Sequence, residues 1–195
     1  MKILILISIL LTSIANARTH KIVLAKNKVF GLKIENKQLM ALGFKRAPSK
    51  LSLKEKKKIV SSLAKDNVPK IIQLYIMDFL PTNEKIPQIV FPKYSPSENE
   101  ERIKSYCHRI GKNTSAFYTD GLKIKFTRAI VGEEKTECFG RCGTKCKSWY
   151  ESRNIYTKQC FVHDVCHRGT GQQLGPCLDE FISASDDFLQ GPKCE

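Results

Sequence analysis

The chain has 195 residues and carries 33 Lys and Arg against 19 Asp and Glu, a formal charge of +14. That excess favours anionic partners such as phospholipid surfaces, nucleic acid or acidic polysaccharide, without choosing among them. Its one long apolar run, from Ile3 to Leu11, is shorter than the roughly 20 residues of a membrane-spanning helix, and no later run compares with it.

The run sits between Met1-Lys2 and Ala15-Asn16-Ala17, an A-x-A pattern of the kind signal peptidases cut. Residues 1–17 therefore read as a secretory signal cleaved near Ala17, and the product as soluble and either secreted or periplasmic. All eight cysteines lie from Cys107 onward. In an exported chain an even number argues for disulfides, although sequence alone selects no pairing. This asymmetry divides the mature chain into a basic N-terminal region of unassigned role, 18–105, and a cysteine-rich half, 106–195.

From Arg18 to Phe44 short runs such as Lys21-Ile22-Val23-Leu24 and Leu32-Lys33-Ile34, with Asn36-Lys37 as a turn, predict a small sheet or ribbon. After the break at Pro48-Ser49-Lys50, Ser52 and Glu55 fit a capping box ahead of Ile59, Val60, Leu63 and Ala64 at helical spacing. Lys54 and Lys56 to Lys58 then form the solvent side of that helix. Ile71 to Leu80 is a buried strand or helix, which periodicity does not separate at this length. Residues 92–101, rich in Pro, Ser and Glu, read as a connection. Beyond them Asp120-Gly121 marks a turn followed by alternating apolar and basic positions, a hairpin strand. The fold class is α+β: a small N-terminal α/β region and a C-terminal, mostly helical, disulfide-stapled half.

Thr157 can cap a helix running through His167, with Gly169 as its stop. On that helix Cys160, His163, Asp164 and His167 share one face. A second helix, from Cys177 to about Leu189, has Leu178, Phe181, Ile182, Ser185, Phe188 and Leu189 as its buried stripe, flanked by Asp179, Glu180, Asp186 and Asp187. Upstream, the two glycines in Cys138-Phe139-Gly140-Arg141-Cys142-Gly143-Thr144-Lys145-Cys146 permit a loop whose carbonyls turn inward, a geometry suited to a hard cation such as calcium.

Cys160-x-x-His163-Asp164-x-Cys166, preceded by this loop and followed by Cys177, resembles the secreted phospholipase A2 superfamily, over roughly Cys138 to Cys194. The resemblance implies that His163 is a general base activating water. Asp164 and the carbonyls of Phe139, Arg141 and Gly143 would be the calcium ligands, and a carboxylate on the second helix, Asp179, Glu180 or Asp186, would orient His163. It also implies disulfides Cys166 to Cys177 and Cys142 to Cys160. Gln159 stands where the family usually has another cysteine, His167 where it has a tyrosine, and Lys145 near an expected glycine, where its charge would oppose the ion.

The implied partner is a phospholipid surface, an anionic one given the charge. The dispersed basic residues lack the aromatic interleaving of a nucleic-acid platform, and no nucleic acid is expected. Trp149 and Tyr150, beside Lys145 and Lys147, are either interfacial anchors or core. Two rival readings are a non-catalytic membrane-binding or toxin-like module on the same frame and a zinc hydrolase using His163 and His167, one turn apart in H-D-x-x-H.

Overall fold

The computed structural model of the chain describes residues 17–46, 49–86, 88–91, 102–121, 123–134, 137–143 and 154–195. Residues 1–16, on which the secretory signal is expected, the segment 92–101, and Lys145, Cys146, Lys147, Trp149 and Tyr150 lie outside them.

Strands β1 (Arg18–Ala25), β2 (Lys28–Glu35) and β3 (Gln38–Phe44) form an antiparallel meander, and the short β4 (Ile89–Val90) adds to β3. Asn36 and Lys37 turn β2 into β3 with φ of +49° and +64°, the left-handed pair that a two-residue hairpin demands. Phe30, Leu32 and Ile34 alternate inward along β2.

Helix α1 (Leu53–Lys65) begins with the capping box: Ser52 Oγ accepts from the Glu55 N–H, and the Glu55 carboxylate accepts from the Ser52 N–H. Ile59 and Leu63 are buried, while Lys54, Lys57 and Lys58 face solvent as the lysine run predicts. Lys56 does not. It is 2% exposed, and its ammonium donates to the carbonyls of Met77 and Leu80. Those carbonyls close a helical segment and lack partners within it, so a long side chain with three donors satisfies them. Burial pushes the Lys56 ammonium down to about 8, against the opposing pull of Asp78.

The apolar run at 71–80 is helical. Helix α2 (Lys70–Leu74) passes directly into a π-helical turn, Tyr75–Phe79, an irregularity often found at functional sites. Its Tyr75, Ile76 and Phe79 are buried.

Among the described residues the cysteine-rich half carries four strands besides its two α-helices, so these residues are less helical than the sequence suggests. Strands β5 (Asn113–Asp120) and β6 (Lys123–Ile130) pair as the expected hairpin, and β7 (Gly132–Glu134) pairs with β8 (Glu137–Phe139). Helix α3 (Lys158–Thr170) starts at Thr157, whose hydroxyl accepts from the Cys160 N–H, and ends at Gly171 with φ +71°. Gly169 is therefore interior and not the stop. A Cβ there would lie 2.0 Å from the Tyr118 hydroxyl, so glycine serves the close approach of β5.

Helix α4 (Leu178–Gln190) follows a short 3-10 turn and packs on α3. Phe181, Ser185 and Phe188 are buried as the stripe predicts, whereas Ile182 is exposed. Asp186 and Asp187, read from sequence as flanking residues, are buried.

One apolar core crosses the boundary between the halves, joining Leu63, Ile72, Tyr75 and Phe79 to Cys142, Cys160, Phe181 and Phe188. Among the described residues three disulfides staple the second half: Cys107–Cys194, Cys142–Cys160 and Cys166–Cys177. The last two are the pairings that the resemblance implies. Such bonds fit an oxidising environment. Among the described residues no helix is long and apolar enough to cross a membrane.

Candidate active site

Two turns of α3 and the loop after β8 make the walls of one cleft. His163, Asp164 and His167 line it from the helix, and Phe139 at the end of β8 with Arg141 and Gly143 of the loop line it from the other side. Two glycines give the loop its path. Gly140 and Gly143 have φ of +82° and +114°, and a Cβ on either would press on Phe161 or Phe188 at 3.2 or 3.0 Å. The Cys142–Cys160 disulfide ties this loop to the first turn of α3, and Cys166–Cys177 ties the next turns to the start of α4.

His163 is 8% exposed. Its Nε2 lies 3.2 Å from the Gln173 carbonyl oxygen, and its Nδ1 lies 3.8 Å from Asp164 Oδ1. A carbonyl can only accept, so Nε2 carries the proton in this arrangement and Nδ1 is left with a lone pair. The other Asp164 oxygen accepts from the Gly140 N–H at 2.8 Å. Burial raises the Asp164 carboxyl above its ordinary range, against the lowering effects of His163 and of the Gly140 N–H.

The sequence-predicted residues thus divide. His163, Asp164, Phe139, Arg141 and Gly143 come together. The carboxylates expected to orient His163 do not join them: Asp186 pairs with Arg102, Asp179 is exposed on α4, and Glu180 accepts from the Thr119 N–H and hydroxyl. The Gln173 carbonyl takes the orienting position instead, because the chain between α3 and α4 doubles back over the imidazole.

Three cleft residues carry no signal in the sequence reading. Gln173 acts through its backbone, which leaves no trace in side-chain type. Glu137 adds a second carboxylate to the lining. Phe79 comes from the π turn of the N-terminal region and stacks on His163, with ring centroids 6.3 Å apart and planes at 29°.

The donor set suits a hard cation. Asp164 supplies a carboxylate, and Phe139, Arg141 and Gly143 bring backbone carbonyls to the lining, the ligand types that calcium takes in sixes to eights. Among the described residues no group of three or more His, Cys, Asp and Glu is gathered closely enough to hold a metal through side chains alone. A calcium site here would rest on the loop carbonyls. His163 and His167 both line the cleft. Cys138 has no disulfide among the described residues, its sulfur lying 3.4 Å from the Tyr156 hydroxyl.

Residues 105–194 match the family model described as a domain of unknown function (DUF8213), a stretch that includes all eight cysteines. No curated protein and no solved structure matches the chain.

Proposed function

We propose that this chain is an exported, calcium-dependent hydrolase of glycerophospholipid esters whose cysteine-rich half is of the phospholipase A2 type, acting at an anionic phospholipid surface. The observation that carries this reading is the single cleft in which His163 and Asp164 face Phe139, Arg141 and Gly143, held by the two disulfides that the motif resemblance implies.

With its proton on Nε2 directed at Gln173, His163 takes a proton from water at Nδ1 as that water attacks the ester carbonyl. The imidazolium then returns a proton to the departing alkoxide. Asp164 and the carbonyls of Phe139, Arg141 and Gly143 would hold calcium, whose charge when bound stabilises the oxyanion and the phosphate. The Gly140 N–H fixes the Asp164 carboxylate facing that loop.

The test is fatty-acid release from vesicles of mixed anionic and zwitterionic phospholipid, with calcium and with chelator. Release that persists unchanged in chelator refutes the calcium role, and release that survives His163→Gln refutes the base. A non-catalytic module is favoured by one observation, the Phe79 ring covering one side of His163. An absence of release from every vesicle type would support it.

A further inference from the structure

Residues that alternate along a two-stranded sheet sort into an inner and an outer face, and in the β5–β6 hairpin both faces are apolar. The inner one is explained: Ala116, Tyr118 and Ala129 are buried in the cluster that includes Phe161 and Val165 of α3. The outer one is not. Phe117 is 63% exposed, Ile124 77% and Phe126 54%.

These side chains form one patch. Phe117 pairs with Phe126 across the strands, their rings 5.0 Å apart, and Thr119 pairs with Ile124 beside them. Single exposed apolar residues need no explanation, but two aromatics and an isoleucine side by side on a half-covered hairpin do. Basic groups accompany them: Arg128 lies on the same face with its guanidinium 5.8 Å from the Phe126 ring, and exposed Lys123 and Lys125 alternate with the apolar positions of β6. On the acidic side, Asp120 lies 3.9 Å from Lys125, and Glu180 is spent on Thr119.

We propose that the outer face of the β5–β6 hairpin docks the protein on an anionic phospholipid surface. Phe117, Ile124 and Phe126 enter the interface while Arg128 on the same face meets the headgroups, and Lys123 and Lys125, on the other face of β6, add positive field at the hairpin tip. The choice of partner rests on the phospholipid reading given above and on charge complementarity, since a +14 chain presents this apolar patch beside Arg128, with Lys123 and Lys125 on the same strand. The hairpin is fastened to both helices that form the cleft. Glu180 of α4 holds Thr119, and Arg168 of α3 donates to the Arg128 carbonyl. Docking the hairpin therefore fixes the position of the cleft relative to the surface.

The experiment measures co-sedimentation of the full chain with vesicles of ether-linked phosphatidylcholine, alone or in equal mixture with ether-linked phosphatidylglycerol, in chelator. Ether linkages cannot be hydrolysed, so binding is read apart from catalysis. Wild type should bind the mixed vesicles more tightly than the neutral ones. The double variant F117S/F126S should weaken that binding about tenfold or more, because two aromatic rings no longer leave water. K123E/K125E/R128E, which keeps the apolar patch, should lose the preference for the anionic mixture. Both variants should hydrolyse a short-chain monomeric phospholipid as well as wild type does.

Equal vesicle binding by F117S/F126S and wild type overturns the proposal. So does a wild-type dimer in sedimentation that the double variant abolishes, which would assign the patch to a second copy of the chain. If wild type binds vesicles but hydrolyses nothing, the enzymatic reading fails and the docking surface stands.

Discussion

Phe79 stacks on His163, bringing a residue of the N-terminal region onto the candidate base of the cysteine-rich half. The same ring lies 5.0 Å from Phe181 and 5.1 Å from Phe188, and Tyr75, one turn earlier, donates its hydroxyl proton to Ser185. The region at 18–91 is thus a wall of the cleft and part of its core. Phe79→Ala should destabilise the protein by about 3–5 kcal/mol, the usual range for emptying a buried aromatic site. Phe79→Leu should cost less. Urea unfolding compares them, and a loss below about 1 kcal/mol for the alanine variant would mean that the ring packs loosely.

The same packing bears on whether the cysteine-rich half stands alone. Without Tyr75 and Phe79 the faces of Phe181 and Phe188 would meet water, although disulfides would still hold α3 to α4. A chain trimmed to residues 105–195 should bind the dye ANS strongly and melt without a sharp transition, as loosely packed states do. A sharp melt with no dye binding would show that the first half is dispensable for packing.

His163→Gln keeps the side chain near the Gln173 carbonyl and removes the base. Fatty-acid release should fall by about 10²- to 10⁴-fold, the contribution typical of a positioned general base. The thermal midpoint should stay close to that of wild type. A variant that retains full activity would move the chemistry away from His163.

These residues differ in how far the sequence reveals them. Cys160, His163, Asp164 and Cys166 are legible because a short motif on one helix is a local property, and the capping box at Ser52 is legible for the same reason. Lys56 is not. Within a run of lysines it looks like a solvent residue, and only the carbonyls of Met77 and Leu80, from another segment, explain its burial. Phe79 and Gln173 escape likewise, because their roles arise where separate stretches of chain meet. The carboxylates of α4 mislead: the resemblance implies an orienting partner among them, but Asp186 is taken by Arg102.

Asp164 carries the metal reading. A half-buried carboxylate whose desolvation holds it above its ordinary range is stabilised by any cation that reaches it. Calcium at about a hundred times its dissociation constant should add roughly 2.7 kcal/mol to wild-type stability, read as a rise in thermal midpoint. Asp164→Asn should abolish both that rise and activity. An equal calcium response in variant and wild type would place the ion elsewhere.

Asp187 gives a prediction that does not involve catalysis. Burial pushes its carboxyl up to about 7, helped by neighbouring Asp186 and opposed by Thr157 and Arg102. Its pKa is thus raised on folding from an ordinary value of 3.8. Between about pH 4 and pH 7 the native state binds the extra proton, so stability from this group is present at low pH and is lost as pH rises through 7. A rise of about three pKa units corresponds to roughly 4 kcal/mol at full ionisation. Asn has nothing to ionise. Asp187→Asn should therefore gain on wild type by up to about that amount between pH 4 and pH 8, with Asp186 and Arg102 common to both proteins. Urea unfolding across this range measures the difference, and parallel pH curves for the two proteins would show that Asp187 ionises in the native state as it does in the unfolded chain.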